Sequence, residues 1–305
     1  MKDGIINIYK QKGYTSFDVV AILRKKLKIK KIGHTGTLDP EAEGVLPVCI
    51  GKATKAVDYM IDKDKVYYAK MILGQETDTQ DSTGTVIDTK EVIVSEEEII
   101  AAINSFEGEY KQIPPMYSAL KVNGKKLYQL AREGKTIERK PRDIVIHRIW
   151  DISINVPEIS FRVKCSKGTY IRTLCHDIGN QLGCKAHMTA LTREASGDYN
   201  LSNAKKLEEI DAYLENDNID SLIEPIDKVF SKHKKIIISE AGQKKLYNGN
   251  KLTSEIIESI DNNERNDMNI LEYYRVYDFK DNFIGLYRAV DLDEKLILKP
   301  ITLFL

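Results

Sequence analysis

Residues 143–182 read DIVIHRIWDISINVPEISFRVKCSKGTYIRTLCHDIGNQL. Two strands follow each other here, over 143–155 and 158–165. In the second, Ile159, Phe161, Val163 and Cys165 fall on one face at the two-residue period of a half-buried strand. Gly168 ends it. From Tyr170 to Leu182 the period changes: Ile171, Leu174, Ile178 and Leu182 recur at spacings of three and four, which predicts a helix. Working outward, the spacing predicts strands over 4–10, over 45–50 (broken by Pro47) and over 66–73, where Tyr67, Ala69 and Met71 share a face. Ser16 is placed as the N-cap of a helix with Phe17, Val20, Ala21 and Leu27 on its core side. Ser95 and Glu98 form a capping box ahead of a second helix. Residues 107–142 are polar, basic and punctuated by Gly and Pro, and read as an insertion on the surface. From about 233 a second unit begins, with a helix between Ser239 and Gly249, then strands near 271–278, 283–290 and 295–304, two of them joined at Asp281-Asn282. Strands outnumber helices and the order is mixed, so the chain reads as α+β and not as a doubly wound βαβ protein.

The chain has 305 residues, enough for one large domain or two, and its 42% hydrophobic and 30% charged composition is that of a folded globular protein. No run of about 18 apolar residues is present, so no transmembrane helix is expected. The apolar stretch after Gly4 is too short for the core of a signal peptide, and the four cysteines (Cys49, Cys165, Cys175, Cys184) are expected to be reduced thiols of a cytoplasmic protein. Net charge is zero, with 46 basic and 46 acidic residues. The average conceals segregation: residues 1–60 carry +5 and residues 110–150 carry +7, against −9 over 75–109 and −5 over 201–230. Two basic segments could converge on a polyanion while the acidic ones face elsewhere. Solvated helix faces would give the same counts.

Two segments carry chemistry. In Gly33-His34-Thr35-Gly36-Thr37-Leu38-Asp39-Pro40 the glycines at 33, 36 and, further on, 44 permit unusual backbone angles, and Pro40 biases Asp39 towards an extended conformation. A carboxylate held on such a loop can serve as nucleophile or general base, or it can simply cap the loop as an Asx-turn. In Cys165–Thr173, Arg172 lies in the first turn of a helix, where a cation opposes the macrodipole. It calls for an anionic partner, a carboxylate or a phosphate, unless its head is solvated.

Other readings fail on spacing. Gly44 to Lys52 is too long for a phosphate-binding loop, and Ala53 stands where Ser or Thr is needed. The cysteines and histidines show no metal-ligand spacing, so core thiols account for them better than zinc. Residues 78–84 lack the alternating ligands and distal Glu of a calcium loop. Sixteen tyrosines against seven phenylalanines, some interleaved with Lys and Arg (Tyr67, Tyr117, Tyr128, Tyr170), suit stacking on RNA bases, although tyrosine is also a common half-buried residue of sheets.

Four stretches resemble the TruB family of tRNA pseudouridine synthases: GHTGTLDPEAEGVLPVCIGKATK (33–55), LGQETDTQDSTG (73–84), PPMYSALKVNGKKLYQLAREG (114–134) and CSKGTYIRTLCHDIG (165–179). The likeness extends over essentially the whole chain. It implies a mixed, largely antiparallel sheet forming a catalytic domain over 1–230, with an RNA-gripping insertion at about 107–142. A small PUA-like β-barrel over 233–305 would bind RNA. The implied activity is isomerisation of uridine to pseudouridine at position 55 in the T-loop of tRNA, by a monomeric enzyme needing no metal or other cofactor. Asp39 matches the catalytic carboxylate, Tyr67 the tyrosine that stacks on the uracil and is implicated in proton removal from C5, and Arg172 the arginine paired with the Asp. Tyr170 and Leu191 match pocket residues and His34 the histidine that enters the T-loop stack. Lys121, in the third stretch, is counted with the substrate-binding residues. One departure stands out: the family's Leu-Arg-Arg-Thr-x-x-Gly is here Leu191-Thr192-Arg193-Glu194-Ala195-Ser196-Gly197, which puts in doubt a phosphate contact at Thr192. A non-catalytic tRNA-binding or folding protein on the same scaffold, or a synthase for another RNA, would share these features.

Overall fold

The computed structural model describes residues 2–122, 124–261, 268–292 and 295–305. Its larger sheet runs, edge to edge, Gly4–Lys10, Glu43–Ile50, Ala186–Ser196, Lys65–Leu73, Glu158–Cys165, Arg142–Asn155 and Gly108–Gln112, with the short strands Ile32–His34 and Tyr199–Asn200 attached to Glu43–Ile50 and Ala186–Ser196. Neighbours along this path are antiparallel except at one seam, where Glu43 and Gly44 pair in parallel with Thr192 and Arg193. The architecture is α+β, with each half of the sheet carrying its own helical cover. The Ser16–Leu27 and Leu207–Glu215 helices pack on Ile6, Ile8, Leu46, Val48 and Ile50. The Glu96–Asn104 and Ile171–Gln181 helices pack on Met71, Ile146, Phe161 and Val163.

Several local expectations need correction. Ser16 is not the N-cap. Thr15 is, in a reciprocal box with Asp18, and this leaves the buried Ser16 hydroxyl free for another partner. The core face of that helix is Val19, Val20, Leu23 and Leu27, whereas Phe17 is 64% exposed and lies 5.9 Å from the Arg24 guanidinium. Pro47 does not break its strand. It sits opposite Asn7, whose carbonyl bonds the Lys205 N–H at 3.0 Å instead of the neighbouring strand, so the missing proline N–H costs no ladder bond there. The stretch 107–142 is not wholly a surface insertion either: Gly108–Gln112 is the edge strand of the sheet, in register with Arg142–Ile146, and only the residues between the two strands project.

A second sheet follows, in the order Leu252–Thr253, Lys295–Leu303, Phe283–Leu292, Tyr273–Tyr277, Lys234–Ile238, Ile257–Ile260. Its two edge strands are neighbours in the chain, joined through Ser254–Ile256, so the sheet must curl back on itself. Ile236, Leu246, Tyr274, Tyr287 and Leu298 fill the curl. Tyr59, Phe230, Phe283 and Phe304 stack at ring distances of 5.0–6.1 Å between this sheet and the first. Lys55 Nζ donates to the Leu303 carbonyl at 2.5 Å and Tyr59 bonds Thr302 at 2.7 Å. Among the described residues no helix is long and apolar enough to cross a membrane.

The parallel seam depends on one glycine. Gly44 has φ +108°, and a Cβ there would lie 2.3 Å from the Arg193 carbonyl oxygen and 2.9 Å from its nitrogen. Both the backbone angle and the close approach exclude a side chain. Gly44→Ala is therefore expected to lower unfolding free energy by roughly 2–3 kcal/mol, read from urea denaturation. An unchanged midpoint would show that the seam can open without cost.

Candidate active site

The loop between Ile32–His34 and Glu43–Ile50 carries Asp39, and it is tied down on both sides of that residue. The Leu38 N–H donates to the Ser16 hydroxyl at 2.8 Å. The Pro40 carbonyl accepts from the Gly13 N–H at 2.9 Å and from Lys10 Nζ at 3.1 Å. Gly36 and Gly44 take positive φ, while Gly33 lies in an ordinary strand pair with Cys49. Lys10 is fully buried, and burial pushes its ammonium down to about 8.

The Asp39 carboxylate accepts no backbone N–H among the described residues, so it is not an Asx-turn cap. It faces Arg172, whose Nη2 lies 3.3 Å from Oδ1 and 3.2 Å from Oδ2. The Arg172 side chain is only 6% exposed, against 39% for that of Asp39. The same guanidinium reaches Asp81 Oδ2 at 3.5 Å and donates to the Tyr117 carbonyl at 2.8 Å. Arg172 is thus a buried hub and not a solvated surface cation. Burial pushes the Asp39 carboxyl up. Arg172 opposes this, Asp81 reinforces it, Lys10 opposes it, and the net displacement is above the ordinary carboxylate value.

Tyr67 lies in the Lys65–Leu73 strand, opposite Arg193, with its side chain in the core cluster that also holds Leu38 and Leu191. Burial pushes its phenol up, with the Arg193 guanidinium pulling the other way. Leu191 pairs with Ala69 one strand over. Tyr170 is half-buried immediately before the Ile171–Gln181 helix, its ring 6.0 Å from the Arg172 guanidinium carbon. His34 accepts the Gly36 N–H on Nδ1 at 3.3 Å; burial and then the charge of Arg193 push its pKa down. Lys121 stands apart. It is exposed on a two-residue strand paired with Lys125–Lys126, and it makes no hydrogen bond or ion pair to the Asp39 cluster.

Sequence reasoning missed three participants. Arg193 is 1% exposed and donates from Nε to the Val45 carbonyl at 2.7 Å and from Nη2 to the Gly36 carbonyl at 3.1 Å, joining both ends of the Asp39 loop to the Ala186–Ser196 strand. Its alternation with Leu191 was the available signal. Asp81 accepts from the Thr83 N–H at 2.9 Å while turned towards Arg172. Lys10 falls at the two-residue period of Ile6 and Ile8, which was the signal for its burial. The departure at 192–194 is also explained. Thr192 lies 3.4 Å from Glu43, and Glu194 accepts from Arg162 at 2.9 Å, which also pairs with Asp151 at 2.7 Å. These residues alternate with Leu191 and Arg193 along the strand and take part in no contact with Asp39.

The cysteines are all buried and free. Among the described residues no cluster of three or more His, Cys, Asp or Glu side chains is placed to hold a metal ion. What the cluster presents is an accessible carboxylate of raised pKa on a braced loop, a buried arginine at its back, and an aromatic and an aliphatic side chain close by. Such an arrangement suits nucleophilic or acid–base chemistry on a planar ring.

Comparison with known proteins agrees. The family model described as TruB family pseudouridylate synthase (N terminal domain) matches residues 24–171, and that of the tRNA pseudouridylate synthase B C-terminal domain matches residues 172–231. The chain is 50% identical over 285 residues to the tRNA pseudouridine synthase B of Clostridium acetobutylicum, covering 93% of this chain and 94% of the relative. It is 46% identical over 312 residues to the protein of the same name from Lachnoclostridium phytofermentans, covering 99% and 100%. Among solved structures, a chain of a Cbf5-Nop10-Gar1 complex superposes with a TM-score of 0.73 at 28% identity, covering 99% of this chain and 85% of that one. A chain of an H/ACA RNP bound to a substrate RNA containing 2'-deoxyuridine gives 0.72 at 26%, with the same coverage. The chain belongs to the TruB family of pseudouridylate synthases.

Proposed function

We propose that this protein isomerises uridine to pseudouridine in tRNA, at the T-loop uridine of position 55, with Asp39 as the catalytic carboxylate. The observation that carries the reading is the Asp39–Arg172 pair: residues 133 apart in sequence meet as a half-exposed carboxylate on a buried arginine, and Leu38, just before Asp39, belongs to the core cluster that holds Tyr67 and Leu191. The reaction breaks the N1–C1′ bond, turns the uracil and forms C5–C1′. It is redox-neutral and consumes no water, so the site must enclose the base and keep water out. A T-loop base must first leave its stack, at a cost of a few kcal/mol that stacking and phosphate contacts offset. On this reading Tyr67 receives the uracil, Leu191 and Tyr170 wall the pocket, and His34 fills the vacated stack. The basic projection carrying Lys121 holds phosphates. Residues 1–230 form the catalytic domain, and 233–305 a PUA-like appendage for RNA. The protein acts in the cytoplasm as a monomer.

An ionised Asp39 is needed whether it attacks C1′, adds to C6 or removes the C2′ proton. Arg172 keeps that form accessible against the pull of burial.

Three outcomes test this reading on a tRNA transcript tritiated at uridine C5. Asp39→Asn should lower tritium release by roughly 10⁴-fold or more while the tRNA still binds; an active variant would remove Asp39 from the chemistry. Arg172→Lys should lose roughly 100-fold, because one ammonium cannot serve Asp39, Asp81 and the Tyr117 carbonyl together; near-normal turnover would take Arg172 out of the site. Since the Asp39 carboxyl is displaced upward, its reactive anion is lost as pH falls through that raised value. The acid limb of kcat should therefore lie above the ordinary carboxylate range and move higher still in Arg172→Lys. A limb that stays put in the variant would contradict the assigned electrostatics.

A further inference from the structure

The Gly108–Gln112 strand and the Ile171–Gln181 helix are fastened together at two polar points outside the Asp39 cluster. The Tyr110 hydroxyl donates to Asp177 Oδ2. The Gln112 carboxamide oxygen accepts from the Tyr170 N–H at 2.8 Å, and its nitrogen donates to the Tyr170 carbonyl at 3.0 Å. Tyr110 and Gln112 are alternate residues of the strand and share a side of it. Tyr170 and Asp177 are seven apart, about two helical turns, and share a helix face. Gln112 is 1% exposed and spends both ends of its side chain on the main chain of one residue. That residue begins the helix, which has no side-chain N-cap and no acidic residue in its first turn. Arg172 follows two positions later. Gln112 also marks the start of the projection, and from the projection the Tyr117 carbonyl returns to accept from Arg172.

The geometry points to Gln112 as a positioning residue for the isomerisation. By pairing with the Tyr170 main chain it sets where the Arg172 guanidinium stands relative to both Asp39 and the projection. Gln112 acts through Tyr170 and Arg172 and touches no reacting atom. A buried amide satisfied at both ends tolerates little displacement, because moving it strands a donor and an acceptor out of reach of water. The inference rests on the isomerase reading above.

The test uses Gln112→Met, which keeps the length and apolar bulk of the side chain but forms neither hydrogen bond, alongside Gln112→Ala. kcat at saturating tRNA is read from tritium release, and tRNA affinity is measured separately. Gln112→Met should lower kcat by about 10- to 100-fold with Kd changed by no more than about threefold. Combined with Arg172→Lys it should be scarcely slower than Arg172→Lys alone, because both act through one guanidinium. Wild-type kcat in Gln112→Met would overturn the assignment, even if Gln112→Ala is impaired or fails to fold. So would losses that multiply in the double variant, since these would place the effect of Gln112 elsewhere. A wild-type protein that releases no tritium would sink the isomerase reading itself, whereas an active wild type with an indifferent Gln112→Met would sink only the role of Gln112.

Discussion

The buried guanidinium of Arg193 is the constraint on which the rest of the site depends. Removing such a charge from water costs several kcal/mol unless its donors are satisfied. Here they are met by the Val45 and Gly36 carbonyls and not by a carboxylate. Those two carbonyls flank the Asp39 loop, so the loop cannot leave the sheet without stranding the charge. The one parallel pairing in the larger sheet lies at the same place, with Gly44 pressed against the Arg193 main chain. Side chain and backbone of one residue thus set the seam. Burial disfavours protonation of His34, Lys10 and Lys65, and the positive charge of Arg193 adds to it.

Against this fixed floor, the other wall comes from the Ile171–Gln181 helix. Its first turn carries Arg172, a poor choice for helix stability because a cation there opposes the dipole. The cost is offset by two carboxylates and a carbonyl. Asp39 and Asp81 come from different loops, and Tyr117 comes from the projection. One side chain therefore joins four segments far apart in sequence. The same four contain the stretches by which the family is recognised, which explains why those stretches are long: each must form its local structure and also present a group to a common hub.

Local structure was largely legible in the sequence. The period of two in 158–165, the period of three and four from 171, the Ser95–Glu98 box and the Asp281-Asn282 turn each depend on neighbours along the chain, and each element stands where the pattern places it. The resemblance pointed to Asp39 and Arg172, and the structure brings them within ion-pair distance. What was not legible depends on contacts between distant segments. Thr15 and Ser16 are both competent caps, and only the demand of the Leu38 N–H for an acceptor assigns Ser16 elsewhere. Pro47 reads as a strand breaker until the opposite residue is known to bond outward. Lys10 and Arg193 look like solvent-facing charges at strand positions; Lys10 is satisfied by the Gln11, Tyr14 and Pro40 carbonyls, and Arg193 by the distant Val45 and Gly36 carbonyls. Alternation puts such a polar side chain on a face, but only the folded chain shows which carbonyls meet it there.

The neutral net charge takes on a different meaning in three dimensions. The acidic stretch 75–109 builds the Gln75–Thr77 and Val86–Thr89 hairpin and the Glu96–Asn104 helix. Part of its charge is spent internally, with Glu76 on Lys185 at 2.5 Å and near His176 at 3.6 Å. The basic stretch projects instead, and Lys121, Lys125, Arg132, Lys135 and Lys140 stand exposed on it. Basic charge exposed on the arm and acidic charge exposed on the body around the hairpin and helix produce a directional field although the total is zero. The root of that arm is the strand whose last residue, Gln112, grips the main chain that carries Arg172. The basic arm and the guanidinium that meets Asp39 are therefore parts of one continuous covalent and hydrogen-bonded path.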